Sequence, residues 1–432
     1  MTKSSKWGEL STHDPSIIKT NGYFYVYSTD ASYDFSLPSG VQIRRSKDLI
    51  HWEYRGTAFE NYGEECKEAV KYARLNADKN HGFWAPDIIK TNGIYRLYFS
   101  ASTFGSSRSC ISMAESENPE GPFSFKGIVI ASQENNIQEG NAIDPGILED
   151  HNGNLYMVYG SFFGGIFIVE LDKKTGFLKD TKQKPIRLLG GKMAAVEGPV
   201  IRYIAESGYY YLFLSYGSLS SDYNIRVGRA KEITGPYFDA DGKELSLLSK
   251  QNEEEIGTKV MGGFTFASHT NPPVGESVMA PGHNGLYVEG NDYFIVHHAR
   301  SYAMPEHWFI MNIRRFAVNR YGWPVIFPHR YNGEFLTEID LENGEYALVR
   351  HGKDNNARPH VSSEVILQNG KIDGSVKGTF QCYEDYRISL VMDGKEYDGV
   401  IIQQYDRKHQ KSVQAISAMS QDGFAVWLST QL

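Results

Sequence analysis

The stretch Asp144-Pro145-Gly146-Ile147-Leu148-Glu149-Asp150-His151-Asn152-Gly153-Asn154-Leu155-Tyr156-Met157-Val158-Tyr159-Gly160 decides the fold. An acid stands before a proline, and a proline lacks the N–H that a central strand position would need, so it opens a strand. A short apolar run follows, then Asn152-Gly153, whose residues suit a tight turn, then a second, aromatic-rich strand. The reading is a β-hairpin with a carboxylate at its mouth.

The same pattern recurs along the chain. His13-Asp14-Pro15-Ser16-Ile17-Ile18-Lys19-Thr20-Asn21-Gly22 and Trp84-Ala85-Pro86-Asp87-Ile88-Ile89-Lys90-Thr91-Asn92-Gly93 superpose without a gap, while Glu197-Gly198-Pro199-Val200-Ile201 and Ala280-Pro281-Gly282-His283 open two looser copies. The five prolines lie 71, 59, 54 and 82 residues apart. Repeats of this length made of short strands are the mark of a β-propeller, and five copies imply five blades. A third strand follows each hairpin, as in Val41-Gln42-Ile43, Cys110-Ile111-Ser112-Met113, Gly165-Ile166-Phe167-Ile168-Val169, Asn224-Ile225-Arg226-Val227 and Phe309-Ile310-Met311-Asn312-Ile313. A fourth is expected after the glycine turns at Gly121, Gly176, Gly235 and Gly322. The helix-leaning insert from Gly63 to Arg74 separates blades one and two, and inserts of this kind form rim loops. After Pro328 the repeat stops. Alternating stretches such as Arg387-Ile388-Ser389-Leu390-Val391-Met392, with turns at Asn369-Gly370, Asp393-Gly394 and Asp422-Gly423, read as a second unit. The expected architecture is all-β: a five-bladed β-propeller over residues 1–335, followed by a small C-terminal antiparallel β domain, barrel or sandwich, over residues 346–432.

With 28 Tyr and 23 Phe, the composition favours pleated structure. A net charge of −8 without long charge runs argues against nucleic acid or an anionic membrane as partner and for a neutral one. No apolar run approaches the ~20 residues of a membrane helix, and Met1 to Trp7 carries no signal-peptide core. Cys66, Cys110 and Cys382 are too few and scattered for a disulfide framework or a zinc site. They fit a reducing compartment, although a secreted chain whose signal had been trimmed would read the same. A monomer is expected.

The innermost strands of a propeller line its central channel, so equivalent positions converge although distant in sequence. Asp14 and Asp144 share one register, Glu197 stands one position earlier on a longer side chain, and Asp87 lies two positions later on the same face. Several carboxylates at one mouth, without Lys or Arg beside them in the chain, are costly unless function requires them. Two carboxylates facing each other across a groove are the equipment of glycoside hydrolysis: one protonated acid for the leaving oxygen, one ionised partner opposite. A third acid can hold the first protonated by like-charge repulsion. Phe83, Trp84 and Phe104 offer flat apolar faces to sugar rings or to the core. Ser161-Phe162-Phe163-Gly164-Gly165 offers backbone that a ligand can approach closely, or a tight turn. His283, His297 and His298 lack the spaced acidic or thiol partners of a metal site.

Taken together, His13-Asp14-Pro15-Ser16-Ile17, Phe83-Trp84-Ala85-Pro86-Asp87, Asn141-Ala142-Ile143-Asp144-Pro145, Gly160-Ser161-Phe162-Phe163-Gly164-Gly165-Ile166, Glu197-Gly198-Pro199 and Pro281-Gly282-His283-Asn284 resemble glycoside hydrolase family 43, specifically its arabinanases. The motifs span the whole propeller. The resemblance implies a five-bladed propeller hydrolase that works with inversion, with Asp14 as general base, Glu197 as general acid and Asp144 as the residue that tunes and orients the acid. It implies further that Trp84 and Phe104 form sugar-binding walls, and that His283 contributes to an axial calcium or similar ion held mostly through water; Phe83 and Ser161 complete the expected substrate-binding residues. One position departs from the pattern: Gly146 stands where a bulkier residue often follows Asp-Pro.

Three functions compete on this reading. The leading one is cleavage of α-1,5-L-arabinofuranosidic links in arabinan or its oligosaccharides. An exo-acting α-L-arabinofuranosidase or β-xylosidase on the same scaffold is the second. A non-catalytic carbohydrate-binding propeller is the third, and three convergent acids speak against it, because a lectin needs no acid/base pair. Endo or exo action depends on whether rim loops 29–42 and 60–80 close one end of the groove.

Overall fold

The computed structural model describes residues 8–29, 31, 40–75, 82–134, 140–191, 193–267, 276–301 and 309–431. Residues 1–7 and most of the rim stretches 30–39 and 76–81 lie outside the described residues. Each repeat becomes one antiparallel sheet. Blade one holds Ser16–Thr20, Tyr23–Ser28, Gln42–Ser46 and Glu53–Thr57, and blade two Phe83–Thr91, Ile94–Ala101, Ser109–Ser116 and Ser124–Ser132. Blade three holds Gly146–Glu149, Leu155–Ser161, Gly165–Leu171 and Ile186–Leu189, and blade four Val196–Ile204, Tyr209–Tyr216, Asn224–Ala230 and Thr258–Met261. Blade five is built on Ser277–Glu289, Asp292–Arg300, Ile310–Val318 and Pro324–Ile326. The ring is closed by the start of the chain: Leu10 bridges Ile310, and the Met311 N–H donates to the Glu9 carbonyl at 2.8 Å.

In blades three and four the expected glycine turns at Gly176 and Gly235 do not lead straight into a fourth strand. The chain makes an excursion first, and the outer strands begin only at Ile186 and Thr258. The insert before blade two forms two short helices, Tyr62–Glu65 and Lys67–Tyr72.

The residue before each repeat proline adopts the same unusual backbone. Asp14 (φ 51°), Ala85 (φ 42°), Asp144 (φ 59°), Gly198 (φ 61°) and Ala280 (φ 46°) all lie in the left-handed region. For non-glycine residues that conformation costs on the order of 1–2 kcal/mol, and it persists only where the surroundings enforce it. What enforces it is a ring of hydrogen bonds between blades. The Ala85 N–H donates to Thr29 Oγ1 (2.8 Å), the Asp144 N–H to Ser100 Oγ (2.9 Å) and the His283 N–H to Ser215 Oγ (2.6 Å). The Asp14 N–H donates to His298 Nδ1 (3.2 Å), carrying the pattern from blade five back to blade one. Between blades three and four the acceptor is Asp144 itself, whose Oδ2 takes the Gly198 N–H at 3.0 Å. Gly146 serves the same seam, since a Cβ there would come within 2.5 Å of the Pro199 carbonyl oxygen.

The C-terminal unit is a closed eight-stranded barrel running from Gly344–Arg350 to Ala425–Thr430. Buried Tyr346, Leu348, Val365, Leu367, Leu390, Ile416 and Leu428 fill it. Its outer wall joins the propeller in one hydrophobic core, where Trp427 meets Phe264 edge-on at 4.9 Å and Val400 and Ile402 join Phe213 and Ile225. The strand His360–Val361 also pairs in parallel with Phe264–Thr265, extending the blade-five sheet with chain from the C-terminal unit.

Candidate active site

The mouths of the inner strands converge on a cleft of about 1100 Å³ whose lining includes Asp14, Asp144, Glu197, Trp84, Phe104 and His283. Asp14 and Asp144 project from their left-handed positions, and both are buried. Glu197 sits one residue before Gly198, at the point where the Val196–Ile204 strand shifts register against its neighbour. The bulge there re-aims the strand at its axial end. Phe104 is 91 % exposed, standing free on the cleft wall. Ser161 lines the cleft with its Oγ accepting from Asn141 Nδ2 at 3.3 Å.

Two of the residues singled out from the sequence do not reach the cleft. Phe83 is fully buried and its assignment to substrate binding is corrected: its ring packs on Tyr62 at 4.7 Å and Phe99 at 4.7 Å. The helical insert supplies that lid, so alternation along the strand sends Phe83 into the core and leaves Trp84 to the cleft. Asp87 is buried at the seam with blade three, where its Oδ2 accepts the Ile147 N–H at 2.6 Å.

The electrostatics separate the three acids. Burial opposes ionisation of Asp14, but His13 and His283, with His298 behind them, outweigh it and hold the carboxyl well below the usual range. His283 Nδ1 lies 2.9 Å and His13 Nε2 3.1 Å from Asp14 Oδ1, while Thr29 donates to Oδ2 at 2.5 Å. His298 accepts the Asp14 N–H through Nδ1 and so carries its own proton on Nε2. Glu197 moves the opposite way: burial and then the charge of Asp144 raise it, against the lowering effect of a hydrogen bond from Tyr223. Asp144 is raised by burial, with His283 opposing, and stays the more acidic of this coupled pair. Burial disfavours a charged His283, yet Asp14 and Asp144 raise it to about 9, so it is a cation among the carboxylates at neutral pH.

The residues that complete the site and were not singled out from sequence are Tyr223, Phe309, Thr29 and His13. Tyr223 donates to Glu197 Oε1, and Phe309 stacks on His13 with ring centroids 3.8 Å apart. Both aromatics stand immediately before the third strand of their blades, a position the repeat marks but to which no chemistry was attached. Thr29 follows the second strand, and its role appears only when Asp14 and Ala85 are brought to it.

The donors around His283 bear on calcium. His13, Asp14 and His298 bring potential ligand atoms within 4.8 Å of one another. Calcium takes oxygens, whereas imidazole-rich sets suit transition metals. This set offers calcium one carboxylate, Asp14, so it fits calcium only as a largely hydrated ion, and His283 could contact that ion only in its neutral form. Buried polar atoms on the flanking strands, Ser16 Oγ, the Asn284 carboxamide and Nε2 of His297 and His298, have no partner among the described residues and are suited to ordered water.

Known proteins resemble the chain over nearly its whole length. An extracellular endo-α-(1→5)-L-arabinanase of Thermotoga petrophila is 35% identical over 96% of this chain and 92% of its own length. The extracellular endo-α-(1→5)-L-arabinanase 2 of Bacillus subtilis is 35% identical over 97% of this chain and 92% of its own. The crystal structure of the endo-1,5-α-L-arabinanase from Thermotoga petrophila superposes with a TM-score of 0.89 at 33% identity, covering 98% of this chain and 99% of that one. Residues 328–428 match a C-terminal lipocalin-like domain. Residues 8–324 match the glycosyl hydrolases of family 43, and the chain belongs to that family.

Proposed function

We propose that this protein is an inverting endo-α-1,5-L-arabinanase in which Glu197 is the general acid, Asp14 the general base and Asp144 the modulator of the acid. The observation that carries the reading is the split among three carboxyls in one cleft: Asp14 is held ionised by imidazoles, while Glu197 is held protonated by burial and by Asp144. Inversion needs that split, since one group must give a proton to the leaving oxygen while the other takes one from the attacking water. Trp84 and Phe104 supply faces on which a furanose ring stacks. A hydrated calcium ion at His283 would add positive charge near Asp14 and help keep it ionised. The full-length likeness to two endo-acting relatives favours internal cleavage. Sizing the early products from linear arabinan tests this: a ladder of oligosaccharides is expected, and a single small product from the first minutes would point to exo action.

A further inference from the structure

Asn355 lies in the link between the barrel strands Gly344–Arg350 and Ser363–Gln368, yet it is seated against blade four. Its Oδ1 accepts from Asn224 Nδ2 at 3.0 Å and from Arg226 Nη2 at 2.9 Å, and its own N–H donates to Glu254 Oε1 at 3.0 Å. The same Asn224 Nδ2 reaches the carbonyls of Asp222 at 3.0 Å and Tyr216 at 3.3 Å, tying down the backbone just before Tyr223. Asn224 Oδ1 takes Arg226 Nε at 2.9 Å, so the fully buried guanidinium and the two carboxamides form one network. Beside it, Lys259 Nζ donates to the carbonyl and carboxylate of Asp354 at 2.7 and 2.9 Å.

This network is anchored in the C-terminal unit, and it ends at the reacting groups. The Tyr223 ring lies along His298, centroids 5.7 Å apart and planes 21° apart, and rests on Gly282, where a Cβ would come within 2.1 Å of it. Gripped by these neighbours and by its backbone, the ring leaves its hydroxyl little freedom, and it donates to Glu197 Oε1. With Oε1 accepting, the proton of neutral Glu197 sits on Oε2.

We propose that Asn355 of the C-terminal domain is a positioning residue of the hydrolase site: through Asn224 it fixes Tyr223, whose hydroxyl determines which oxygen of Glu197 carries the proton. The inference rests on the assignment of Glu197 as general acid.

The test uses full-length Asn355→Ala, Asn355→Asp, Tyr223→Phe and the double variant, assayed on linear arabinan and on an aryl arabinofuranoside with an activated leaving group. A misplaced acid should lower kcat on arabinan by about 5- to 50-fold in Asn355→Ala. The activated substrate, which needs little protonation, should lose less. Asn355→Asp keeps an oxygen acceptor for both Asn224 and Arg226 and should restore near-normal turnover. In the Tyr223→Phe background, Asn355→Ala should cost nothing further, because both act along one path. Equal losses in both backgrounds, or equal losses on both substrates, would overturn the proposal. Should Asn355→Ala fail to fold, Asn355→Gln, which displaces the carboxamide by one methylene, carries the same cycle. Loss of turnover in Glu197→Gln beside a flat Asn355 cycle would reject only the positioning role, whereas active Glu197→Gln would reject the acid assignment itself.

Discussion

Asp14 is buried and Glu197 half-buried in one cleft, and their neighbours give them opposite jobs. Imidazoles surround Asp14 and favour its charge, while Asp144 repels a charge on Glu197. Glu197→Gln keeps the shape and removes the proton, so turnover on arabinan should fall by at least ~10²-fold while binding persists. Near-normal turnover would remove Glu197 from the mechanism. Asp144→Asn keeps an oxygen for the Gly198 N–H but removes the repulsion. Glu197 would then lose its proton at lower pH, and because activity falls as the acid deprotonates, the alkaline limb of the pH–rate profile should move to lower pH. An unmoved limb with slowed turnover would leave Asp144 only its hydrogen bond.

At the scale of the strand, the proline-led repeat made most of the molecule legible. It marks where each inner strand opens and which residues share its mouth, so the convergence of Asp14, Asp144 and Glu197 is legible in the sequence itself. What it could not mark were contacts made by other elements. Phe83 and Trp84 are adjacent on one strand, and only the helical insert packed over Phe83 decides which of them is core. Tyr223 and Thr29 sit at strand ends to which the repeat attaches no chemistry, and their meaning comes from the acid each meets within its own blade, Glu197 and Asp14. The separation is measurable. Phe83→Ala should destabilise the fold by about 3–5 kcal/mol, as large core truncations do, and lower the melting temperature with little change in kcat of the folded enzyme. Trp84→Ala should do the reverse, raising KM on arabinan with melting near that of the parent. A Phe83→Ala protein that melts normally but binds arabinan poorly would return Phe83 to the cleft.

At the scale of the whole chain, propeller and barrel share a core and a strand pair, and the barrel's link supplies acceptors for buried cations of blade four. A chain ending at residue 335 would uncover Phe264 and leave Arg226 and Lys259 without those acceptors. Unpaired buried charge costs several kcal/mol per group. Residues 1–335 alone should therefore lack a cooperative melting transition, and a soluble, normally melting fragment would contradict the shared core. The intact enzyme brings these levels together in the stereochemistry of its product. The most direct measurement is proton NMR of the newly formed reducing end during the first turnovers on linear α-1,5-arabinan, before mutarotation scrambles it. An acid and a base acting on a water across the cleft predict that the β-anomer appears first and the α-anomer only later; the α-anomer appearing first would mean retention, with an enzyme carboxylate as nucleophile, and would contradict the roles given to Asp14 and Glu197.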